Sequence, residues 1–252
     1  MIFNRYTFCK FEQFMSQSLV IIPTYNESEN ICSLILKIFN EIPEIHILIV
    51  DDNSPDKTFE IVDKLSQKFK KKLFLELRKN KNGLGEAYKH GFKWALDRNY
   101  EYIFQMDADF SHDPMELSKM LNYLKNDYDL VIGSRYIKGI NVVNWPLNRI
   151  LLSVLAAYYV RFITWMPIKD PTAGFVGYRK RVLKSINTER IRSIGYAFQI
   201  EMKYISWRQK FKLKEHPIIF KNREKGVSKL GSKIIFEAIL AVPLLRLRRF
   251  FL

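Results

Sequence analysis

The 252-residue sequence predicts an α/β fold, a Rossmann-like and mostly parallel sheet with helices on both faces. Three observations carry that expectation. Five short apolar runs between residues 18 and 133 alternate with segments whose apolar residues recur at helical spacing. The runs are apolar nearly throughout, as strands buried on both faces are. Polar residues stand just past three of them, at the strand ends where open parallel sheets bind ligands.

The first run, Ser18–Thr24 (SLVIIPT), reads as a buried strand and leads into Tyr25-Asn26-Glu27. Ile31, Leu34, Ile35 and Ile38 then fall on one face of a helix. A second strand is expected over 45–50, stopped by Asp51-Asp52-Asn53-Ser54-Pro55-Asp56. A second helix over 57–69 and a third strand over 72–77 follow. The loop 78–85 closes with Gly83-Leu84-Gly85 and opens a third helix through Ala87, Phe92, Trp94 and Leu96. That glycine pair lacks the third glycine of a dinucleotide fingerprint, Tyr88 standing in its place, and it follows the third strand rather than the first. No Walker loop occurs. The pair reads as a tight turn or a close approach of backbone to ligand. A fourth strand begins at Tyr102, a helix is expected over 114–125, and a fifth strand over 130–133.

The chain is organised around residues 102–114, YIFQMDADFSHDP. The strand delivers Asp107 and Asp109 with only Ala108 between them. Two carboxylates at the end of a buried strand are costly to desolvate without a positive partner. At i and i+2 on an extended chain they share a face and can converge on one cation or its phosphate ligands. Mg²⁺ or Mn²⁺ suits such a site, because hard cations take few carboxylates and let substrate phosphates complete the shell. Asp also caps turns and helices. Three converging polar edges (Tyr25 with Glu27, Asp51 with Asp52, Asp107 with Asp109) exceed what caps require.

Composition excludes some classes. With 48% hydrophobic and 14% aromatic residues the chain is not disordered. Its charge of +15 is concentrated, with 13 Lys or Arg against 3 acidic residues from Lys203 onward. Such a patch attracts phosphorylated substrates, an anionic membrane surface or nucleic acid. No RNP-like motif, zinc spacing or helix-turn-helix pattern accompanies it, so nucleic acid is not the expected partner. Cys9 and Cys32 form neither a disulfide framework nor a metal cluster and suit a reducing compartment. The first 17 residues lack the pattern of a signal peptide. The longest apolar run, 150–160, stops at Arg161 and falls short of the ~20 residues a spanning helix needs.

The assembled motifs resemble the family-two glycosyltransferases of the GT-A fold and, within them, the dolichyl-phosphate (polyprenol-phosphate) mannose synthases. The resemblance runs over IIPTYNE at 21–27, VDDNSPDKT at 50–58, NGLGEAYKHG at 82–91, DADFSHDP at 107–114 and GSRY at 133–136. It continues over DPTAGF at 170–175, GYAFQIEM at 195–202 and NREKGVSKLG at 222–231. It implies a nucleotide-sugar site in which Pro23, Tyr25 and Glu27 border base and ribose and Val50 with Asp52 holds the base. Asp107, Ala108 and Asp109 would hold the ribose and, through the metal, the diphosphate. Ser111 stands where some relatives carry a metal-assisting Gln. Arg135, Arg223 and Lys229 would bind phosphate, and DPTAGF would shape the acceptor region.

The expected reaction is transfer of mannose from GDP-mannose to a polyprenyl phosphate, with Asp107, Asp109 and Arg135 carrying the chemistry. A transferase using UDP-glucose or another nucleotide sugar and a non-catalytic basic membrane-surface adaptor are the alternatives. A phosphate acceptor is already an anion near neutral pH and needs positioning more than deprotonation. His46, His90, His112 and His216 are accordingly read as structural. Direct displacement with inversion follows.

The domain expectation is a lead at 1–17, a catalytic domain at 18–231 with its acceptor region at about 138–175, and a basic amphipathic helix at 232–252. From Leu130 to Lys169 there is no acidic residue. Trp145-Pro146 opens a helix there, on which Arg149 and Ser153 lie four apart and share a face. The rest of its surface is apolar, so it reads as an interfacial helix that grips the acceptor phosphate with Arg149, Ser153 and Arg135. Relatives share the W-x-x-x-R-x-x-x-S spacing. The implied location is the cytoplasmic face of a membrane, held peripherally. The resemblance also leaves room for a small membrane-anchoring subunit.

Overall fold

A computed structural model describes residues 17–191, 193, 195–223 and 232–247. The lead with Cys9, the segment 224–231 with Lys229, and residues 248–252 lie outside the described residues. Ten segments alternate in the first half: β1 (Ser18–Thr24), α1 (Ile31–Glu41), β2 (His46–Asp51), α2 (Thr58–Lys68), β3 (Leu73–Leu77), α3 (Leu84–Asp97), β4 (Tyr102–Gln105), α4 (Glu116–Lys125), β5 (Leu130–Ser134) and the short β6 (Val142–Val143). Then come α5 (Leu147–Thr164), β7 (Val176–Arg179), α6 (Lys180–Ser185), α7 (Tyr196–Arg208), β8 (Leu213–Pro217), β9 (Phe220–Lys221) and α8 (Ser232–Leu247).

The main sheet has seven strands in the order β3-β2-β1-β4-β7-β5-β8. The five expected strands are present and the sheet is mostly parallel, with β7 antiparallel to both β4 and β5. Strands β7 and β8 extend the sequence reading. Strand β7 is only four residues long and contains Gly177, and β8 (LKEHP) carries polar residues at an edge. Gly177 is required where it stands, since a Cβ there would lie 2.6 Å from Cε1 of Phe104 on the neighbouring strand.

Both faces are covered because every central strand is apolar in both directions. Leu19 and Ile21 of β1 join one core with residues of α3, α6 and α7, while Val20 and Ile22 join the other with α1, α2 and α4. Each fully buried Ile, Leu or Val contributes about 1.5–3 kcal/mol. The two cores thereby hold the strand ends rigidly.

Helix α5 departs from this economy. It runs eighteen residues, past the Arg161 that ended the apolar run in the sequence, and is long and apolar enough to cross a membrane by length and composition. Only Ala157, Val160 and Thr164 are buried. Leu147 and Phe162 are 83% and 77% exposed, and Leu151, Leu155, Tyr158 and Trp165 are also exposed. It is therefore not a core helix. Tyr159 OH donates to the Ile239 carbonyl of α8 (2.8 Å), and Arg246 returns a bond to the Ile163 carbonyl (2.6 Å). Val242 and Leu245 of α8 are buried, whereas Ile239, Leu240, Leu244 and Leu247 add to the exposed apolar face.

Candidate active site

The ends of β1 and β2 are fastened by Asp51, which accepts from Thr24 Oγ1 (2.6 Å), Ser54 N (2.8 Å) and Ser54 Oγ (2.7 Å). Asp51 is thus a structural fastener. Its neighbour Asp52 pairs with Arg78 Nε at 3.0 Å, yet Oδ1 has no aligned hydrogen bond. Burial raises the Asp52 pKa, against the pull of Arg78. Tyr25 presents a half-buried ring with Lys81 Nζ 3.9 Å from its centroid. Glu27 accepts from Asn30 Nδ2 (3.1 Å), and its own N–H donates to Thr58 Oγ1 (3.0 Å). Pro23 is partly exposed beside them. Val50, expected to hold the base with Asp52, is 0% exposed, and its side chain packs in the core directly behind this edge. Arg78 and Lys81, which sequence reasoning passed over, complete a cluster of one aromatic face, one carboxylate and two cations.

Beyond β4 the chain turns through Asp107, Ala108 and Asp109. The Asp107 N–H donates to His112 Nδ1 (3.2 Å), and the His112 ring stacks on Phe175 with centroids 4.9 Å apart. Burial pushes the His112 pKa down to about 4, although Asp109 opposes the shift. His112 is a neutral packing group that braces the turn. Asp109 Oδ1 accepts from Ser111 N (3.1 Å), and Oδ2 lies 3.3 Å from Arg223 Nη2. Ser111 Oγ is buried without a hydrogen-bond partner among the described residues. Asp107, Asp109 and Ser111 supply two carboxylates and a hydroxyl within five residues, oxygen donors of the type a hard divalent cation takes. Among the described residues there is no cluster of three or more His, Cys, Asp or Glu, so a cation here needs oxygens from a ligand.

A cavity of about 430 Å³ opens beside Asp107 and runs under α5. Arg135, Arg149 and Ser153 all line it, so the structure brings together the residues expected to receive a phosphate. Each has a neighbour. Asp170 Oδ2 accepts from Arg135 N (2.9 Å) and Nε (2.7 Å). Arg135 Nη2 donates to Asp170 Oδ1 (2.6 Å) and Thr172 Oγ1 (2.8 Å). Burial raises the Asp170 pKa, but the Arg135 charge and hydrogen bonds outweigh it and hold the carboxyl below its ordinary value. Arg135 is therefore an anchored cation rather than a loose phosphate clamp. Arg149 Nη1 donates to Asn222 Oδ1 (3.0 Å), and its guanidinium lies 3.9 Å from the Trp145 centroid. Ser153 Oγ accepts from Tyr136 OH (2.7 Å). Leu152, Leu155, Val160, Ile239 and Val242 give the same cavity much of its lining as apolar surface.

Sequence reasoning did not single out Asp170 or Lys203. Lys203 is fully buried on α7, and its Nζ donates to the carbonyls of Ala173 (2.6 Å) and Gln199 (3.1 Å). Burial pushes its pKa down to about 7, with Asp170 opposing. DPTAGF and FQIEM were visible motifs, but their apposition is long-range. His46, His90 and His216 bond to Tyr100, Glu76 and Glu116 and do not line the cavity.

The family model for glycosyl transferase family 2 matches residues 19–186. A polyprenol monophosphomannose synthase of Mycolicibacterium smegmatis is 43% identical over 226 residues, 90% of this chain and 85% of that protein. An undecaprenyl-phosphate mannosyltransferase of Micrococcus luteus is 39% identical, covering 89% and 91%. A dolichol-phosphate mannosyltransferase of Pyrococcus furiosus is also 39% identical, over 86% of this chain and 60% of its own length. In three dimensions the chain resembles glucosyl-3-phosphoglycerate synthase of Mycobacterium tuberculosis, solved with Mn²⁺, UDP and glucosyl-3-phosphoglycerate. The TM-score is 0.68 at 14% identity, covering 92% of this chain and 82% of that one, a likeness of fold.

Proposed function

The chain belongs to glycosyl transferase family 2, and from that premise we propose that it moves mannose from GDP-mannose to a polyprenyl phosphate, giving polyprenyl phosphate mannose. The observation that carries this reading is one cavity whose lining combines Asp107, two arginines and a serine with mostly apolar surface. A lipid phosphate has that profile.

Tyr25 and Asp52 receive the base, the ring by stacking and the carboxylate by accepting base N–H groups. Arg223 and Lys229 neutralise the diphosphate. Arg149 and Ser153 grip the acceptor phosphate with a guanidinium fork and a hydroxyl, and Arg135 adds a fixed positive charge held by Asp170. The acceptor oxygen attacks the anomeric carbon from the face opposite the leaving diphosphate, and the configuration inverts. Positioning and charge neutralisation supply the catalysis, with no histidine base. Asp107, Asp109 and Ser111 are the residues that would hold Mg²⁺ or Mn²⁺, and such an ion supplies Lewis-acid neutralisation of the leaving group.

Residues 18–231 act as the catalytic domain, with the acceptor region at about 138–175. The exposed apolar faces of α5 and α8 together with the basic tail rest on the cytoplasmic face of a membrane. A small anchoring subunit would dock on the same surface. The purified protein is expected to sediment with anionic liposomes and to leave them at high salt, while Leu151→Glu combined with Leu155→Glu weakens the association. Equal sedimentation of the double variant would remove this surface from the account.

The activity test is incubation of the protein with labelled GDP-mannose and undecaprenyl phosphate, with and without EDTA, beside labelled UDP-glucose. Mannolipid formed only without EDTA supports the reading. Transfer of glucose instead would replace the donor, and no transfer of either sugar would overturn the proposal.

A further inference from the structure

Gln199 lies on α7, in the FQIEM stretch, and is 1% exposed. Among the described residues neither its Oε1 nor its Nε2 has a hydrogen-bond partner, although both are buried. Native structures rarely leave both ends of a buried amide unmatched. The side chain lines the same cavity as Asp107, Arg149 and Ser153.

Its position is held from behind. Lys203, one helical turn further on, bonds to the carbonyls of Gln199 and Ala173, tying α7 to the loop that follows Asp170. That loop passes close to the acidic turn, since a Cβ placed on Gly174 would lie 3.6 Å from Asp107 Oδ2. Gln199 therefore stands on α7 where that helix is tied to the loop beside Asp107, in the lining that also holds Arg149 and Ser153.

On the transferase reading three substrate groups are candidates for this cavity: a phosphate, a prenyl chain and a hexose. A phosphate anion only accepts hydrogen bonds and would leave the amide oxygen opposite negative charge. A prenyl chain would leave both amide atoms unmatched. Sugar hydroxyls donate and accept, and so satisfy both atoms at once. We propose that Gln199 reads hydroxyls of the hexose being transferred and so sets sugar specificity, an inference that rests on the transferase reading above. Lys203 is its positioning residue.

Gln199→Met tests this by keeping the volume and removing both hydrogen-bonding atoms. Titration calorimetry with GDP-mannose and with GDP, each with Mg²⁺, should show an about tenfold loss of affinity for GDP-mannose and none for GDP. In turnover, kcat/KM for the donor should fall about 10–100-fold while KM for undecaprenyl phosphate stays unchanged. The wild type should lose similarly on the singly deoxygenated donor that lacks the hydroxyl being read, and Gln199→Met should add nothing to that loss. Equal affinities of the two proteins for GDP-mannose, a matching loss for GDP, or a change confined to the acceptor KM would each overturn the assignment and leave Gln199 satisfied by buried water. If Gln199→Met does not fold, the wild type decides alone, because equal GDP-mannose affinity across every deoxy donor overturns it. Binding without transfer would sink the activity proposal while the calorimetry still judged Gln199.

Discussion

Two regions of the candidate site are built by different means. The proposed donor region is the carboxyl edge of β1, β2 and β4, where acidic residues stand at the ends of strands sealed in the core, as Asp51 does with its bonds to Thr24 and Ser54. The acceptor side is α5 with its neighbours, where arginines stand on an exposed apolar helix and find partners far along the chain, as Arg149 does in Asn222. A water-soluble diphosphate donor calls for a rigid, charged edge. A lipid phosphate calls for cations mounted beside greasy surface. On the proposed reading, substrates from two solvents meet where two differently built regions join.

The largest expected effect falls on the donor wall. Asp109→Asn should lower kcat at least about a thousandfold with the fold intact, since losing a phosphate-neutralising ion costs several kcal/mol of transition-state stabilisation. EDTA should mimic it in the wild type. Retained turnover in the variant, with an unchanged melting curve, would mean that the acidic turn does not serve the reaction.

The next effect lies at the seam. Asp170→Asn leaves the anchored Arg135 cation without its carboxylate, and breaking a buried pair costs about 3 kcal/mol or more. Urea unfolding should show that loss. A variant as stable as wild type would mean that Arg135 relocates freely, and the seam would then be looser than described.

A smaller effect concerns Lys203. An amine whose pKa falls from 10.5 to about 7 on folding binds fewer protons folded than unfolded between those values. Stability from this group therefore rises with pH across that window. The difference in unfolding free energy between wild type and Lys203→Met should move in favour of wild type from pH 7 to pH 9, by about 2 kcal/mol. A gap that does not change with pH would mean that Lys203 titrates as an ordinary surface lysine.

The same division decided what could be read from the sequence. Asp107 with Asp109, and Arg149 with Ser153, were legible because strand and helix periodicity places residues two and four apart on one face. The five apolar strands were legible for the same reason. Strands β7 and β8 were not, being short, interrupted by Gly177 or polar along an edge. The Arg135–Asp170 pair spans 35 residues and the Lys203–Ala173 bond 30, and no local pattern encodes such partners. Gln199 stood inside a quoted motif, and only its burial without partners draws it into the site.

Two-substrate steady-state kinetics of Arg149→Ala test most directly the claim that the walls serve separate substrates. The account predicts that KM for the polyprenyl phosphate rises about tenfold or more, as expected for losing a charge-assisted contact to phosphate. KM for GDP-mannose should stay within about twofold, because the donor wall is untouched. A rise shared equally by both substrates, or acceptor kinetics identical to wild type, would contradict the division and require another place for the lipid phosphate.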